Sequence, residues 1–231
     1  MISYYTRAKE ALGYGSKYYN GYLINYFDNL FSNLEKNIVT PEFAKLRVGD
    51  LFKSDQNLKH HFLDLYGEKK QHLNIIGSKL RPFYRIRFGI INIDINKYEP
   101  IHYHDGFISF QVVLRGKCLL HEFDKTAIFE NKIQYKSYKE QILNADDVML
   151  NYSKYRDIHG FGAINEPVSI LSIGKYYGIF GKFKFSGLKM SKNNRDYLDF
   201  DKQMSIGNNK FECPLINENL AYREYSKIKQ Y

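Results

Sequence analysis

The feature that most limits how this chain can fold is a change of hydrophobic period near residue 83. Upstream, across residues 18–36, Tyr19, Tyr22, Leu23, Tyr26, Phe27, Leu30 and Leu34 recur at intervals of three and four, which puts them on one stripe of a helix. Thr40-Pro41 offers an N-cap followed by proline at the first helical position, predicting a short helix over 41–47. Ser54 is placed to cap a third helix that runs to residue 65 and stops at Gly67. From Phe83 the period is two. Arg85, Arg87, Gly89, Ile91, Ile93 and Ile95 alternate with Tyr84, Ile86, Phe88, Ile90, Asn92 and Asp94, as in a strand with two unlike faces. Further strands are expected at 107–115 and 117–124 around Gly116, and at 126–135, 142–143, 148–151, 157–163 and 168–173, with a turn at 144–147. Many short strands at this spacing predict a sandwich or barrel. The fold class is therefore mainly β with N-terminal helices (α+β).

After Gly178 the pattern weakens. Residues 193–201 are polar and charged, Gly207-Asn208-Asn209 reads as a turn, and Asn217 is placed to cap a last helix over 218–229. The expected organisation is a helical segment over 1–82 packed on a barrel over 83–178, with a C-terminal extension over 179–231.

Composition narrows the partners. The 231 residues suffice for one large domain with a sizeable core. The net charge of +9 admits nucleic acid or anionic lipid, but the lysines are dispersed and no zinc-finger spacing occurs, so no nucleic-acid partner is expected. No apolar run reaches the length of a membrane span, so no membrane partner is expected either. The N-terminus lacks the long apolar core of a secretory signal. Cys118 and Cys213 are far apart and make neither a disulfide framework nor a cysteine zinc site. A monomer or homodimer in a reducing cytoplasm is the expectation.

The chemistry-bearing stretch is PIHYHDGFISFQVVLRG, ending at Gly116. Residues i and i+2 of a strand share a face, so His102 and His104 on a strand aim two imidazoles at one point. His159, 55 residues after His104, can supply a third. Three such groups form one facet of a metal's coordination sphere and leave other positions open. An HxH pair alone is weak evidence, because seven histidines make chance pairs common, as His60-His61 shows. His60, His61, His72 and His121 read as structural or exposed.

The order and spacing of these residues resemble the cupin superfamily. Its first motif runs histidine, any residue, histidine, then a glutamate and a glycine. His102, His104 and Gly116 match it, with Ser109 at the glutamate's place. Asp146-Asp147-Val148 stands for the turn before the second motif, and His159 for that motif's histidine. The resemblance covers about residues 83–177 and implies a double-stranded β-helix, a jelly roll with a metal inside it.

Without the glutamate the implied ligands are three neutral histidines, His102, His104 and His159. Such a set leaves the ion its full charge and favours an anionic substrate. Among cupins this looks most like the three-histidine thiol dioxygenases, such as cysteine and cysteamine dioxygenase. The fifteen-residue span from His102 to Gly116 and the Ile158–Ala163 stretch are similar to theirs. The resemblance implies one mononuclear Fe(II), O2 and a small anionic substrate, a thiol being one candidate. In mammalian cysteine dioxygenase a cysteine cross-linked to a tyrosine falls where Ser109 stands, and serine cannot form that thioether. By resemblance Arg85 or Arg87 would hold the substrate's acid group, and Tyr176 or Tyr177 would follow the last barrel strand as a catalytic tyrosine. Ser109 and Gln111 would face substrate, and Asp157 would orient a ligand histidine. Two other readings stand beside this one. One is a cupin isomerase or lyase that uses histidine as general base without a redox metal. The other is a non-catalytic small-molecule-binding cupin.

Overall fold

The computed structural model describes residues 17–64, 74–80, 84–104, 107–152, 158–177 and 195–227. His72 and Asp157 lie outside them. Among the described residues three helices come first: α1 (Lys17–Glu35), α2 (Pro41–Ser54) and α3 (Gln56–Asp64). Thr40 caps α2 as the sequence suggests, its Oγ1 accepting from the Phe43 amide at 3.2 Å. The helix runs past the expected end because Val48 and Phe52 extend the buried stripe begun by Ala44. Ser54 is not the cap of α3. Asp55 is, its Oδ1 accepting from the Leu58 amide at 2.9 Å, while the Ser54 hydroxyl donates back to the Leu51 carbonyl.

Twelve strands follow among the described residues: β1 (Asn74–Leu80), β2 (Tyr84–Ile93), β3 (Tyr98–His104), β4 (Phe107–Arg115), β5 (Cys118–Ile128), β6 (Lys132–Leu143), β7 (Val148–Tyr152), β8 (Ile158–Ala163), β9 (Val168–Tyr177), β10 (Arg195–Leu198), β11 (Met204–Gly207) and β12 (Lys210–Ile216). The last helix is α4 (Glu218–Tyr225), capped by Asn217 as expected. The first sheet has the order β1-β2-β9-β4-β7 and the second β10-β3-β8-β5-β6-β12-β11. Within them, β2-β9-β4-β7 and β3-β8-β5-β6 are the two four-stranded halves of a jelly roll, the double-stranded β-helix. β1 joins the first sheet from within the segment expected to be helical.

Two readings of the strand pattern also need correction. Residues 126–135 are not one strand. Phe129 N donates to Lys132 O at 2.9 Å, and the chain turns back there. No glycine or proline marks this turn, so the sequence hid it. The weak pattern after residue 178 also conceals strands. β10 pairs with both β3 and β12, and β12 pairs with β6. The six strands β3-β8-β5-β6-β12-β10 therefore close on themselves.

Alternation assigns each strand's faces to different cores. On the outer face of the first sheet, Ile86, Phe88, Ile90, Ile108, Phe110 and Val112 pack against Phe27, Phe31, Val48 and Phe52 of the helices. Lys175 adds a half-buried ion pair to Glu35 at 2.7 Å, tying the end of α1 to β9. Between the sheets, Ile91, Ile93, Val113, Leu120, Met149, Phe161 and Ile170 fill one end of the sandwich. A third cluster, including Tyr103, Phe123, Ile158, Leu198, Phe200 and Cys213, lies on the other side of the second sheet. Gly116, at the β4–β5 turn, has φ +82°, and a Cβ there would press on the Pro167 carbonyl. This position therefore requires glycine. Among the described residues no helix is long and apolar enough to cross a membrane.

Phe110 is fully buried and stacks on Phe31 with centroids 5.4 Å apart. Phe110→Ala is expected to cost about 3–5 kcal/mol, read as a lowered urea midpoint. Phe43→Ala, at a side chain 49% exposed, should change stability by less than about 0.5 kcal/mol.

Candidate metal centre

β3 and β8 run antiparallel, and their register sets His102 directly opposite His159. Directly paired residues point to one face, and His104 shares it by the period of two. Ring centroids lie 4.5 Å apart for His102–His159, 4.8 Å for His102–His104 and 5.5 Å for His104–His159. The three side chains are 0%, 5% and 0% exposed, in the order His102, His104, His159. One potential ligand atom from each lies within 4.8 Å of the others. Among the described residues no other group of three or more His, Cys, Asp or Glu converges in this way.

The spacing suits a metal ion. Two donors about 2.1 Å from one ion, at a right angle to each other, lie about 3.0 Å apart. His102 Nε2 and His104 Nε2 are separated by 3.1 Å. His102 Nδ1 lies 2.7 Å from the Pro100 carbonyl. That oxygen can only accept, so Nδ1 carries the proton and Nε2 is left with its lone pair facing the cluster. Burial holds the His102 pKa well below the ordinary 6.5, and the positive charge of Arg195 pushes the same way. His102 is therefore held as neutral imidazole, the form that binds metal.

The opposite wall is the inner face of the first sheet. One row across it reads Arg87, Gly174, Ser109, Asn151, and the next reads Gly89, Ser172, Gln111, Met149. Ser109 and Gln111 are buried. Asn151 Nδ2 donates to Gln111 Oε1 at 2.7 Å and reaches Ser109 Oγ at 3.5 Å, while Asn151 Oδ1 is buried with no hydrogen-bond partner. Arg87 lays its guanidinium over the Tyr176 ring, 4.7 Å from the centroid, and its Nε is buried without a hydrogen-bond partner. The fold thus places Arg87, Ser109, Gln111 and Tyr176 on one face, across the sandwich from the histidines. Arg85 pairs with Tyr176 along the backbone, but its side chain lies outside the described residues. Tyr177 alternates away and is 39% exposed.

Asn151 was missed in the sequence. Its signal was a polar residue two after Met149 on an apolar strand, at an inward position. His121 lies on the other face of the second sheet. It shares a short hydrogen bond with the Tyr98 hydroxyl, and its Nε2 lies 2.8 Å from Glu140 Oε2, so its role is structural. His60 is exposed on α3 and His61 half-buried. Cys118 and Cys213 are buried, with thiols pushed up to about 12 by desolvation.

No family model matches the chain, and no curated protein does. Among solved structures, it is similar in part to oxalate decarboxylase of Bacillus subtilis, a protein described as having Mn(II) centres. The identity is 18%, with 38% of this chain and 21% of that chain covered and a TM-score of 0.31. The match therefore spans about a fifth of that relative's length. An uncharacterised conserved protein with a double-stranded β-helix domain from Klebsiella pneumoniae is 15% identical over 48% of this chain and 84% of its own, with TM-score 0.34. KdgF from Halomonas sp. is 13% identical over 45% and 76%, with TM-score 0.33.

The buried histidines make stability depend on pH. Desolvation lowers both His102 and His121 below 6.5, in His121 against the pull of Glu140. In the unfolded chain both take up protons near pH 6.5. Below that pH the unfolded state binds more protons than the fold, so stability falls as pH drops and is retained above it. Thermal unfolding of metal-free protein should show a lower Tm at pH 5.5 than at pH 7.5. An unchanged Tm would show that these imidazoles protonate freely in the folded chain.

Proposed function

We propose that this chain is a mononuclear, three-histidine Fe(II) oxygenase of the cupin type that acts on a small anionic substrate, with thiols the leading class. The observation that carries the reading is the convergence of three buried imidazoles opposite a wall that holds the half-buried Arg87 guanidinium. His102, His104 and His159 would hold the ion. With no carboxylate among them, the ion would keep its charge and supply a site where thiolate and O2 meet. For a thiol the net change is RS⁻ + O2 → RSO2⁻, with both oxygen atoms ending on sulfur.

The chain's own residues supply position. Arg87 would bind the substrate's acid group, with its guanidinium held over the Tyr176 ring. Ser109, small where a glutamate would otherwise stand, leaves room beside the histidines. Gln111 and Asn151 orient each other through their amide hydrogen bond and would bind a polar group of the substrate or a bound water. The Tyr176 hydroxyl would serve as a proton donor near the acid group. The apolar cluster around Met149, Phe161 and Ile170 closes the sandwich beyond the polar rows and limits water there.

The decisive experiment is metal analysis of protein purified without a His-tag, beside His104→Ala, followed by oxygen uptake with a panel of thiols and other small acids. Near-stoichiometric iron in the parent, lost in His104→Ala together with oxygen uptake, is the expected result. A parent with no bound metal and no affinity for added Fe(II) would overturn the oxygenase reading. It would leave the histidines as general bases or ligand-binding groups, separable by whether turnover survives chelator.

Arg87→Met should leave iron content unchanged. It should lower kcat/KM for an acidic substrate by about ten- to a hundredfold, as expected for loss of a charged hydrogen bond of about 1.5–3 kcal/mol. The loss should be much smaller for an uncharged thiol. Equal loss for both would remove Arg87 from the binding of the acid group.

A further inference from the structure

In the eight-stranded jelly roll alone, β3 would be an edge strand, with unpaired amides and a soft position. Here β10 covers that edge. Arg195, Asp196 and Tyr197 pair with His104, Tyr103 and His102, so two C-terminal residues stand directly beside two candidate ligands. The contact extends to side chains. Arg195, 7% exposed, forms an ion pair with Glu99 of β3. The Tyr222 hydroxyl of α4 donates to the other Glu99 oxygen at 2.6 Å. Tyr222 packs edge-on to Tyr197 with centroids 5.8 Å apart, and the Tyr197 ring lies 5.5 Å from that of His102. The end of α4 is held to the start of β3, where Tyr98 N donates to Ser226 O at 2.8 Å.

Glu99 sits at a sensitive place. The β3–β8 register shifts between Glu99 and His102, so an irregularity lies between the clasped residue and the first candidate ligand. Such irregularities re-aim side chains and locally disrupt the ladder. A buried ion pair is a poor source of net stability, because desolvation offsets most of the attraction. It does fix geometry, through a rigid guanidinium fork and a second hydrogen bond.

We propose that the Arg195–Glu99–Tyr222 clasp is a positioning device for the metal centre: the C-terminal β10 and α4 hold the 99–102 segment so that His102 and His104 converge with His159. The proposal rests on the metal-binding reading above. It makes residues 195–227 part of the site, although none of them is a ligand. Arg195, Glu99 and Tyr222 act through β3 and are not catalytic residues.

The test compares Tyr222→Phe with Tyr225→Phe in the full chain, reading Co(II) affinity, the Co(II) visible spectrum and Tm. Tyr225 is the matched control. It lies on the same helix, and its hydroxyl donates at 2.6 Å to Asp199, outside the clasp. Tyr222→Phe keeps the ring and loses only the hydrogen bond to Glu99. Both variants should lower Tm slightly. Only Tyr222→Phe should weaken Co(II) binding, about tenfold, and shift its visible band, as loss of an outer contact to a metal site does. Glu99→Gln, which keeps the shape and removes the ion pair, should move both readouts the same way. Parent-like Co(II) affinity and spectrum in Tyr222→Phe would overturn the proposal. So would equal weakening in Tyr225→Phe, which would mark general loosening. A parent that takes up neither Co(II) nor Fe(II) would sink the metal reading itself, and the clasp proposal with it. That outcome is distinct from a parent that binds and a Tyr222→Phe variant that binds equally well.

Discussion

The candidate site depends on the antiparallel pairing of β3 with β8, which sets His102 directly across from His159. A slip of one residue would send His159 to the other face and replace it with Ile158 or Gly160. Packing on both faces of β8 resists that slip. Phe161 and Ala163 belong to the cluster between the sheets, and Ile158 to the cluster on the far side. Gly160 adds a steric lock, because a Cβ there would lie 2.6 Å from Ile101 and closer still to the Tyr98 hydroxyl. The geometry of three imidazoles is thus enforced by apolar contacts that have no chemistry of their own.

Each sheet of the jelly roll is covered on its outer side by a different part of the chain. The N-terminal helices lie on the first sheet through Phe27, Phe31 and Phe52. The C-terminal strands close the second sheet into a ring. Neither four-stranded half is left with an apolar face in water, and β3 is not left as an exposed edge. The space between the sheets divides into a packed apolar end and a polar end that holds the histidines, Arg87 and the Gln111–Asn151 pair. Groups that would be costly to bury singly are gathered where they satisfy one another or face a ligand.

The period of two from residue 83 made the strands readable, because alternation is a property of each strand by itself. Thr40, Asn217 and the turn at 144–147 were readable for the same reason, since their hydrogen bonds close within three residues. The β5–β6 turn was not readable, because Phe129 and Glu130 are not turn formers and Asn131 stands alone, with no glycine or proline beside it. β10 was not readable because four residues, Arg195–Leu198, are too few to show a period. Their strand state is imposed by pairing with β3 on one side and β12 on the other.

The same physics divides the site. His102 and His104 on one face followed from the sequence, because the spacing i, i+2 fixes it locally. Ser109, Gln111, Arg87 and Tyr176 could each be assigned to alternating positions. That Arg87, Ser109 and Asn151 lie in one row, and that the row is opposite the histidines, depends on register between β2, β9, β4 and β7. Register is a long-range quantity, set by which strands meet and how far each has slid. The sequence by itself thus determined the alternation, the local caps and which residues could share a face. Only the tertiary structure decided which faces meet, and that Arg195 and Tyr222, remote in the chain, close on Glu99 beside the histidines, because those contacts exist only once the strands have paired.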